Sequence, residues 1–434
     1  MKQKRWFTLF LSLILVLSIN PSIIKAEVAE PTIAAEAAIL MDADTKTVLY
    51  AKNANEAYYP ASITKLMTAL LAIENLSPED TITFSRDAVY SIEPGSSHIG
   101  IKEDEILTVD QALHGLLLMS ANEVANGLAE AVSGSLDGFS NLMTERAKEL
   151  GALNTHFMNA HGLHDENHYT TPYDMALIAS YLAENEYFLD IMQDMTYEIP
   201  PTNITDETRY LYQQHAMLNP SRNPSVYREY VIGGKTGYTD QAKHTLVTMA
   251  KQGNTTLVAV IMKSDKATLY TDTAALFDYG FSSYQNLSLH TTNDIIKTLP
   301  GYNVKSGQTY QSKNYGLGLV NDASVVVLNT IAPNDIDLVF DLPEYLDSTY
   351  QVGDSVGSVS FVLNGQTLLK EDLIIKQVDL LPEPEFSFME KYQIPWWLIG
   401  LWGIAGICIL IAIILSIRRK LARKKYSKYD RLFK

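Results

Sequence analysis

The chain has 434 residues, 47% of them hydrophobic and 19% charged, with a formal net charge of −16 at neutral pH. That length supports more than one domain with its own core. The acidic balance excludes a general nucleic-acid role. A single cysteine, Cys408, excludes a disulfide framework, and without H-E-x-x-H or a Cys/His cluster no metal or other cofactor is expected.

Residues 1–26 read as a secretory signal peptide. Lys2, Lys4 and Arg5 precede an apolar run over 6–19, then Pro21 and a cut after Ala26, with Ile24 bulkier than such a site prefers. Residues 37–41 and 47–50 form a hairpin around Asp42-Ala43-Asp44-Thr45-Lys46. Pro60 suits the start of a helix whose apolar residues Leu66, Ala69, Leu70 and Ile73 keep a helical period. Thr108 caps a helix through Ala112, Leu113, Leu116 and Leu117 toward Ser120, and a second, through Val124 and Leu128, leaves Asn122. Residues 139–150 make an amphipathic helix stopped by Gly151, and Thr171-Pro172-Tyr173-Asp174 opens another through Leu177, Ile178 and Leu182. Residues 231–239 read as a strand edge, 244–250 and 255–262 as strands joined by Lys251-Gln252-Gly253-Asn254, and 267–281 as helix. A helical block flanked by strands of an antiparallel sheet is an α+β layer fold, expected over 27–282.

From 283 to 380 the pattern changes to short β-runs, at 324–328, 356–363 and 373–375, with Asn364-Gly365 as a hairpin turn. This predicts a small all-β, sandwich-like domain without catalytic residues. Pro382, Pro384 and Pro395 mark a linker over 381–395. The 22 residues of 396–417 carry no charge; at ~1.5 Å per residue such a helix crosses a ~30 Å hydrocarbon layer. Trp396, Trp397 and Trp402 suit an interfacial belt, and Arg418, Arg419, Lys420, Arg423, Lys424 and Lys425 open a basic tail over 418–434. The positive-inside rule makes that tail cytoplasmic and everything before Trp396 external. Setting aside four basic residues in the signal, and nine basic residues and one acid after Ile417, leaves 21 basic against 49 acidic residues, about −28. The exported part would repel anionic lipid as well as nucleic acid. No internal repeat is visible.

Three short motifs carry chemistry. Ser62-Ile63-Thr64-Lys65 puts a serine and a lysine three apart on one helix face, near an N-terminus whose free N–H groups favour a developing anion. A serine hydroxyl needs a base beside it, and lysine serves only if burial or a second cation pulls its pKa down from about 10.4. Ser120-Ala121-Asn122 falls 58 residues after Ser62, and Lys235-Thr236-Gly237-Tyr238-Thr239 begins 115 residues after Ser120. S-x-x-K followed by S-x-N and K-T-G is the order found in serine β-lactamases and penicillin-binding proteins.

The exported chain resembles the low-molecular-mass penicillin-binding proteins, the serine-type D-alanyl-D-alanine carboxypeptidases of bacterial cell-wall metabolism. Beside the three motifs, Asn159-Ala160-His161-Gly162-Leu163 is similar to the family's Asn-Pro-His-Gly-Leu loop. The runs Val352-Gly353-Asp354-Ser355-Val356-Gly357 and Leu363-Asn364-Gly365 are similar to its C-terminal β-domain. The resemblance implies a β-lactamase/transpeptidase-like catalytic domain, a peptidoglycan pentapeptide substrate, inhibition by β-lactams, and a C-terminal membrane anchor. It implies Ser62 as nucleophile, Lys65 as base, Ser120 and Asn122 as proton relay and amide holder, and Lys235 with Thr236 of the Lys235-Thr236-Gly237 motif on the terminal carboxylate. It also implies the backbone N–H groups of Ser62 and Tyr238 as oxyanion hole. His161, like His98, His114, His156, His164 and His215, is expected to be a packing histidine. One departure stands out: family members often carry a carboxylate-binding arginine on the strand after Lys-Thr-Gly, where 253–258 has Thr255 and Thr256, leaving Arg222, Arg228 or Lys243 to serve.

Three other readings share the motifs. A β-lactamase would need Asp in place of Ala121 and a Glu-x-x-Leu-Asn loop, which 150–230 lacks. A D,D-endopeptidase differs only in how the carboxylate end is held. A silent penicillin-sensing or wall-binding protein has no need of Ser62, Lys65 and Lys235 together. Sequence leaves the oligomeric state open.

Overall fold

The computed structural model describes residues 29–305, 307–385, 392 and 394–429. The signal-peptide reading of 1–26 lies outside these residues. Two units emerge: one runs to Asn286 and takes in Val326–Ile331, the other comprises Leu287–Val325 and the chain from Ala332.

The first unit is built on a five-stranded antiparallel sheet. Its strands are β1 (Ala37–Asp42), β2 (Val48–Lys52), β3 (Val231–Thr239), β4 (Lys243–Gln252) and β5 (Thr255–Ser264), in the order β2-β1-β5-β4-β3. Every residue of β1 is buried, as a strand covered on both faces requires. Adjacent residues of a strand point to opposite faces. Accordingly Leu40 packs beside Gly280 of the C-terminal helix Leu269–Ser283, while Met41 meets Ser180 of helix Pro172–Leu182. Gly280 is bare because a side chain there would strike Leu40 and Leu257.

The helical block holds α1 (Lys65–Asn75), α2 (Val109–Leu118) and α3 (Asn122–Ser133), each with most of its residues buried. Thr108 closes a capping box on α2, accepting from Gln111 N while the Gln111 side chain accepts from Thr108 N. Leu136–Glu149 stops before Gly151, whose φ of +87° is left-handed, and Thr171 caps Pro172–Leu182. Two hairpins of three- and four-residue strands, Thr81–Thr83 with Ile106–Thr108 and Thr196–Ile199 with Arg209–Tyr212, were not predicted.

The second unit holds a six-stranded sheet in the order Asp337–Asp341, Ser355–Leu363, Gln366–Leu380, Gln308–Leu319, Lys297–Lys305, Leu346–Asp347. All pairs are antiparallel except the last. Tyr315, Leu317, Val359, Phe361, Leu373 and Ile375 are its buried core. Asn364 and Gly365 turn the hairpin with φ of +52° and +81°, the left-handed pair a two-residue turn demands. The run 324–328, expected wholly within the β-domain, is divided: its last residues belong to the first unit, where Asn329 N donates to Ser283 O.

The apolar C-terminal segment is one helix, Trp396–Tyr429, with its large apolar side chains exposed. It continues through Arg418, Arg419, Lys420, Arg423 and Lys424, all of which were assigned to the tail. Arg, Lys, Ala and Leu are strong helix formers, so nothing in 418–424 stops it.

Thr108→Ala removes one half of the box that starts α2, and should cost about 1 kcal/mol. A thermal melt of the catalytic unit should show this as a midpoint lowered by ~2–4 °C.

Candidate active site

Ser62 lies on a 3-10 turn, Ala61–Thr64, that runs directly into α1 at Lys65. The expected pairing on one helical face holds in tighter form, because residues i and i+3 of a three-residue turn eclipse. Ala61 takes a left-handed φ of +52°. The turn is held on two sides: Thr245 of β4 donates to Pro60 O at 2.8 Å, and the Asn159–Leu163 loop closes over Ala61 and Thr64. Gly162, at φ +86°, has no room for a side chain, since a Cβ there would collide with the Ala61 carbonyl. Gly237 is bare for the same reason on the sheet side, where a Cβ would stand 2.8 Å from Ser62 N.

Lys65 has no exposed surface. Its Nζ lies 3.1 Å from Ser62 Oγ and donates to Asn122 Oδ1 and His161 O, both at 2.7 Å. Burial, and then the nearby Lys235 cation, hold its pKa well below the ordinary lysine value, with Glu123 opposing. Asn122 is the first residue of α3, and Ser120 fills the break between α2 and α3 with a left-handed φ of +62°. The Ser120 hydroxyl is buried without a hydrogen-bond partner among the described residues. On edge strand β3, Lys235, Thr236 and Gly237 pair with Val247, Leu246 and Thr245 of β4. Lys235 is buried, which lowers its pKa to about 7, and its Nζ donates to Thr236 O at 2.9 Å.

A cleft of about 960 Å³ opens here, lined among others by Ser62, Ser120, Asn122, Thr236, Gly237 and Tyr238, while Lys65 and Lys235 lie beneath its surface. All eight residues expected from the sequence are thus gathered in one place. The Tyr238 hydroxyl donates to Asp240 Oδ1 at 2.9 Å, and its ring lies 4.7 Å from that of the cleft residue His244.

His161 behaves as the packing residue expected: its Nδ1 accepts from Leu163 N at 3.1 Å, and burial pushes its pKa down to about 3. Its main-chain carbonyl, which sequence reasoning missed, is what touches Lys65. His168 is likewise buried with a pKa near 3, and holds Thr64 Oγ1 at 2.9 Å. The run 253–258, where the sequence offers no carboxylate-binding arginine, lies at the end of β5 away from the cleft residue His244. Thr255 and Thr256 pair with Gln252 and Lys251, whereas at the other end Ser264 pairs with the cleft residue His244 and leads to Lys266. Arg222 and Lys266 both line the cleft. Arg228 instead donates to Ser225 O and Tyr227 O, and Lys243 is exposed on the β3–β4 turn. Lys266 carries no motif that sequence could flag. Among the described residues no cluster of His, Cys, Asp and Glu suits a metal ion.

A family model described as D-alanyl-D-alanine carboxypeptidase matches residues 24–266. The D-alanyl-D-alanine carboxypeptidase DacF of Bacillus subtilis is 30% identical over 402 residues, covering 91% of this chain and 99% of that protein. Penicillin binding protein 5 from Haemophilus influenzae shares the fold, with a TM-score of 0.69 at 23% identity, over 81% of this chain and 99% of its own. The Streptomyces K15 DD-transpeptidase superposes with a TM-score of 0.54 at 29% identity, over 58% of this chain and 99% of its own. The family match takes in all five strands of the first unit's sheet and the segments that carry Ser62, Lys65 and Lys235, and the likeness to DacF runs nearly end to end: the chain belongs to the D-alanyl-D-alanine carboxypeptidase family.

Proposed function

We propose that this chain is a serine D-Ala-D-Ala carboxypeptidase that removes the terminal D-alanine of peptidoglycan stem peptides through an acyl-enzyme, and that β-lactams acylate the same serine. The observation that carries the reading is the surroundings of Lys65 Nζ. A neutral amine has two N–H bonds and one lone pair. Asn122 Oδ1 and His161 O accept the two N–H bonds, and the lone pair is left for the Ser62 hydroxyl 3.1 Å away. Burial and Lys235 both favour that neutral form.

On this reading Ser62 Oγ attacks the carbonyl of the D-Ala-D-Ala bond while its proton passes to Lys65. The oxyanion sits between the backbone N–H groups of Ser62 and Tyr238, donors typically worth several kcal/mol to the transition state. Ser120, whose buried hydroxyl is free to turn, passes a proton to the departing amine, and Asn122 holds the substrate amide. Thr236 and Lys235 take the terminal carboxylate, assisted by the cleft-lining cations Arg222 and Lys266. Water then cleaves the ester. Residues 1–26 direct export, the linker 381–395 and the apolar segment 396–417 anchor the chain in the bacterial cell membrane, and the catalytic unit works on the extracytoplasmic face. The β-domain spaces that unit from the membrane.

Incubation with a fluorescent penicillin and with a D-Ala-D-Ala pentapeptide tests the activity. Stable labelling with release of D-alanine is expected; rapid antibiotic turnover, or neither reaction, would overturn it. Lys65→Arg keeps the charge but cannot give it up, and should slow acylation by about 10²–10⁴-fold in a folded protein, while Ser62→Ala should abolish labelling. A variant Lys65→Arg acylating at the normal rate would move the base elsewhere.

The two buried lysines set the pH dependence. Acylation rises with pH as Lys65 loses its proton and falls as Lys235 loses the charge that holds the carboxylate, the apparent values belonging to the pair. With Lys235 near 7, KM for carboxylate-ended peptides should climb above that pH. A carboxamide-ended analogue should show no such climb, and equal climbs for both would remove Lys235 from carboxylate binding. A chain ending at Glu390 should leave the membrane fraction with its labelling intact; continued full partition with membranes would refute the single anchor.

A further inference from the structure

One wall of the cleft is a stretch without regular structure, 95–98, and two charged side chains, the buried Glu123 and the partly buried Arg209, grip the chain immediately after it. Glu123 Oε1 accepts from Ile99 N at 2.7 Å and Gly100 N at 3.1 Å. On the other side of the same dipeptide, Arg209 donates to Ile99 O and Gly100 O, both at 3.0 Å, and is locked to the fully buried Glu105 at 2.7 and 2.9 Å. Ser97 O accepts from Asn122 N at 2.9 Å. The Ile99 side chain rests over Gly115, where a Cβ would come within 2.9 Å of it.

Glu123 is unusual in this set. It sits in the first turn of α3, where a helix end favours negative charge, and it is the residue after Asn122, whose Oδ1 holds Lys65. It is 1% exposed, yet its second oxygen, Oε2, is buried with no hydrogen-bond partner among the described residues. Holding two backbone N–H groups needs only one oxygen and no charge; a glutamine would do it. Burying a carboxylate with one oxygen bare is costly in general, so the charge itself calls for a use.

We propose that Glu123 is a positioning residue with two duties: Oε1 fixes the cleft wall through Ile99 and Gly100, and the carboxylate, one residue from the Asn122 that holds Lys65, supplies the counter-charge to that buried lysine. The charged and titratable groups acting on Lys65 are Lys235 from β3, Glu123 from α3, and His161 and His168 from the loop region, the two histidines neutral. Glu123 is therefore the only anion in the set. Without it, burial and the Lys235 cation would act on Lys65 unopposed, and Lys65 would lose its proton at still lower pH.

The inference rests on Lys65 as the base, and its test separates the two. Acylation by a fluorescent penicillin is followed against pH for the full chain in detergent. Glu123→Gln keeps an oxygen for the wall and drops the charge, so the acid limb of the acylation rate should move to lower pH by about one unit, with its plateau within a few-fold of the parent. The double variant Glu105→Gln/Arg209→Gln releases the wall from the far side and leaves the charge. Its KM for pentapeptide should rise several-fold with the limb unmoved. An unmoved limb in Glu123→Gln, or a moved one in the double variant, overturns the proposal even where Lys65→Arg is inactive as expected. Should Glu123→Gln fail to fold, Glu123→Asp keeps the charge at shorter reach. It should hold the limb while raising KM, and a displaced limb there refutes the counter-charge.

Discussion

A lysine with no exposed surface must have every polar contact supplied by protein, and at Lys65 three separate stretches of chain do so. The start of α1 brings Ser62, the start of α3 brings Asn122, and the Asn159–Leu163 loop brings the His161 carbonyl. None of these segments makes such an arrangement alone. The loop is tied to the helix it serves, with Thr68 donating to Ala160 O at 2.6 Å and Asn159 Oδ1 taking Gly162 N at 2.7 Å. Removing any of the three would leave a buried nitrogen short of a partner, which costs far more than the bond itself is worth. The helical block is thereby bound to a point a few ångströms from the sheet edge.

The sheet contributes stiffness and a boundary. β3 is an edge strand, so one side of its backbone is free of the ladder and lies open to the cleft. Its inner side is pinned residue for residue by β4, which also holds the turn carrying Ser62, through Thr245 and Pro60. The distance between serine and strand is therefore set by a covalently continuous, doubly bonded structure. A peptide laid along such an edge meets backbone groups at fixed spacing, as in strand-addition recognition generally.

Much of this was legible in the sequence because strong local signals coincide with the chemistry. Thr108 with Gln111, Thr171 with Pro172, and Asn364-Gly365 each prescribe one backbone geometry, and each is found. The three motifs are brought together because helix starts and a strand edge present their residues at defined angles. What escaped were features without periodicity. Strands of three or four residues, such as Thr81–Thr83, are too short to show alternation. In Gln308–Leu319 the buried face is confined to the last five residues, so the strand reads as half polar. The His161 carbonyl is a main-chain group and leaves no trace in residue identity, and Lys266 reaches the cleft only because β5 runs toward it. Position in the sequence does not reveal which end of a strand faces the cleft; the direction of the strand does.

The immediate surroundings of Ser62 are main chain on two sides: Gly162 and Gly237 each stand where a single extra carbon would strike the turn that carries it. The rest of the cleft is walled by side chains, including Gln214, Arg222 and Lys266. Mutation can therefore reach the two regions very unequally. Substitutions at the glycines displace the turn and are lost, while the outer walls can drift without moving the serine. The space around Ser62 is thus fixed by backbone, while the rest of the cleft is set by side chains that substitution can exchange without touching that turn.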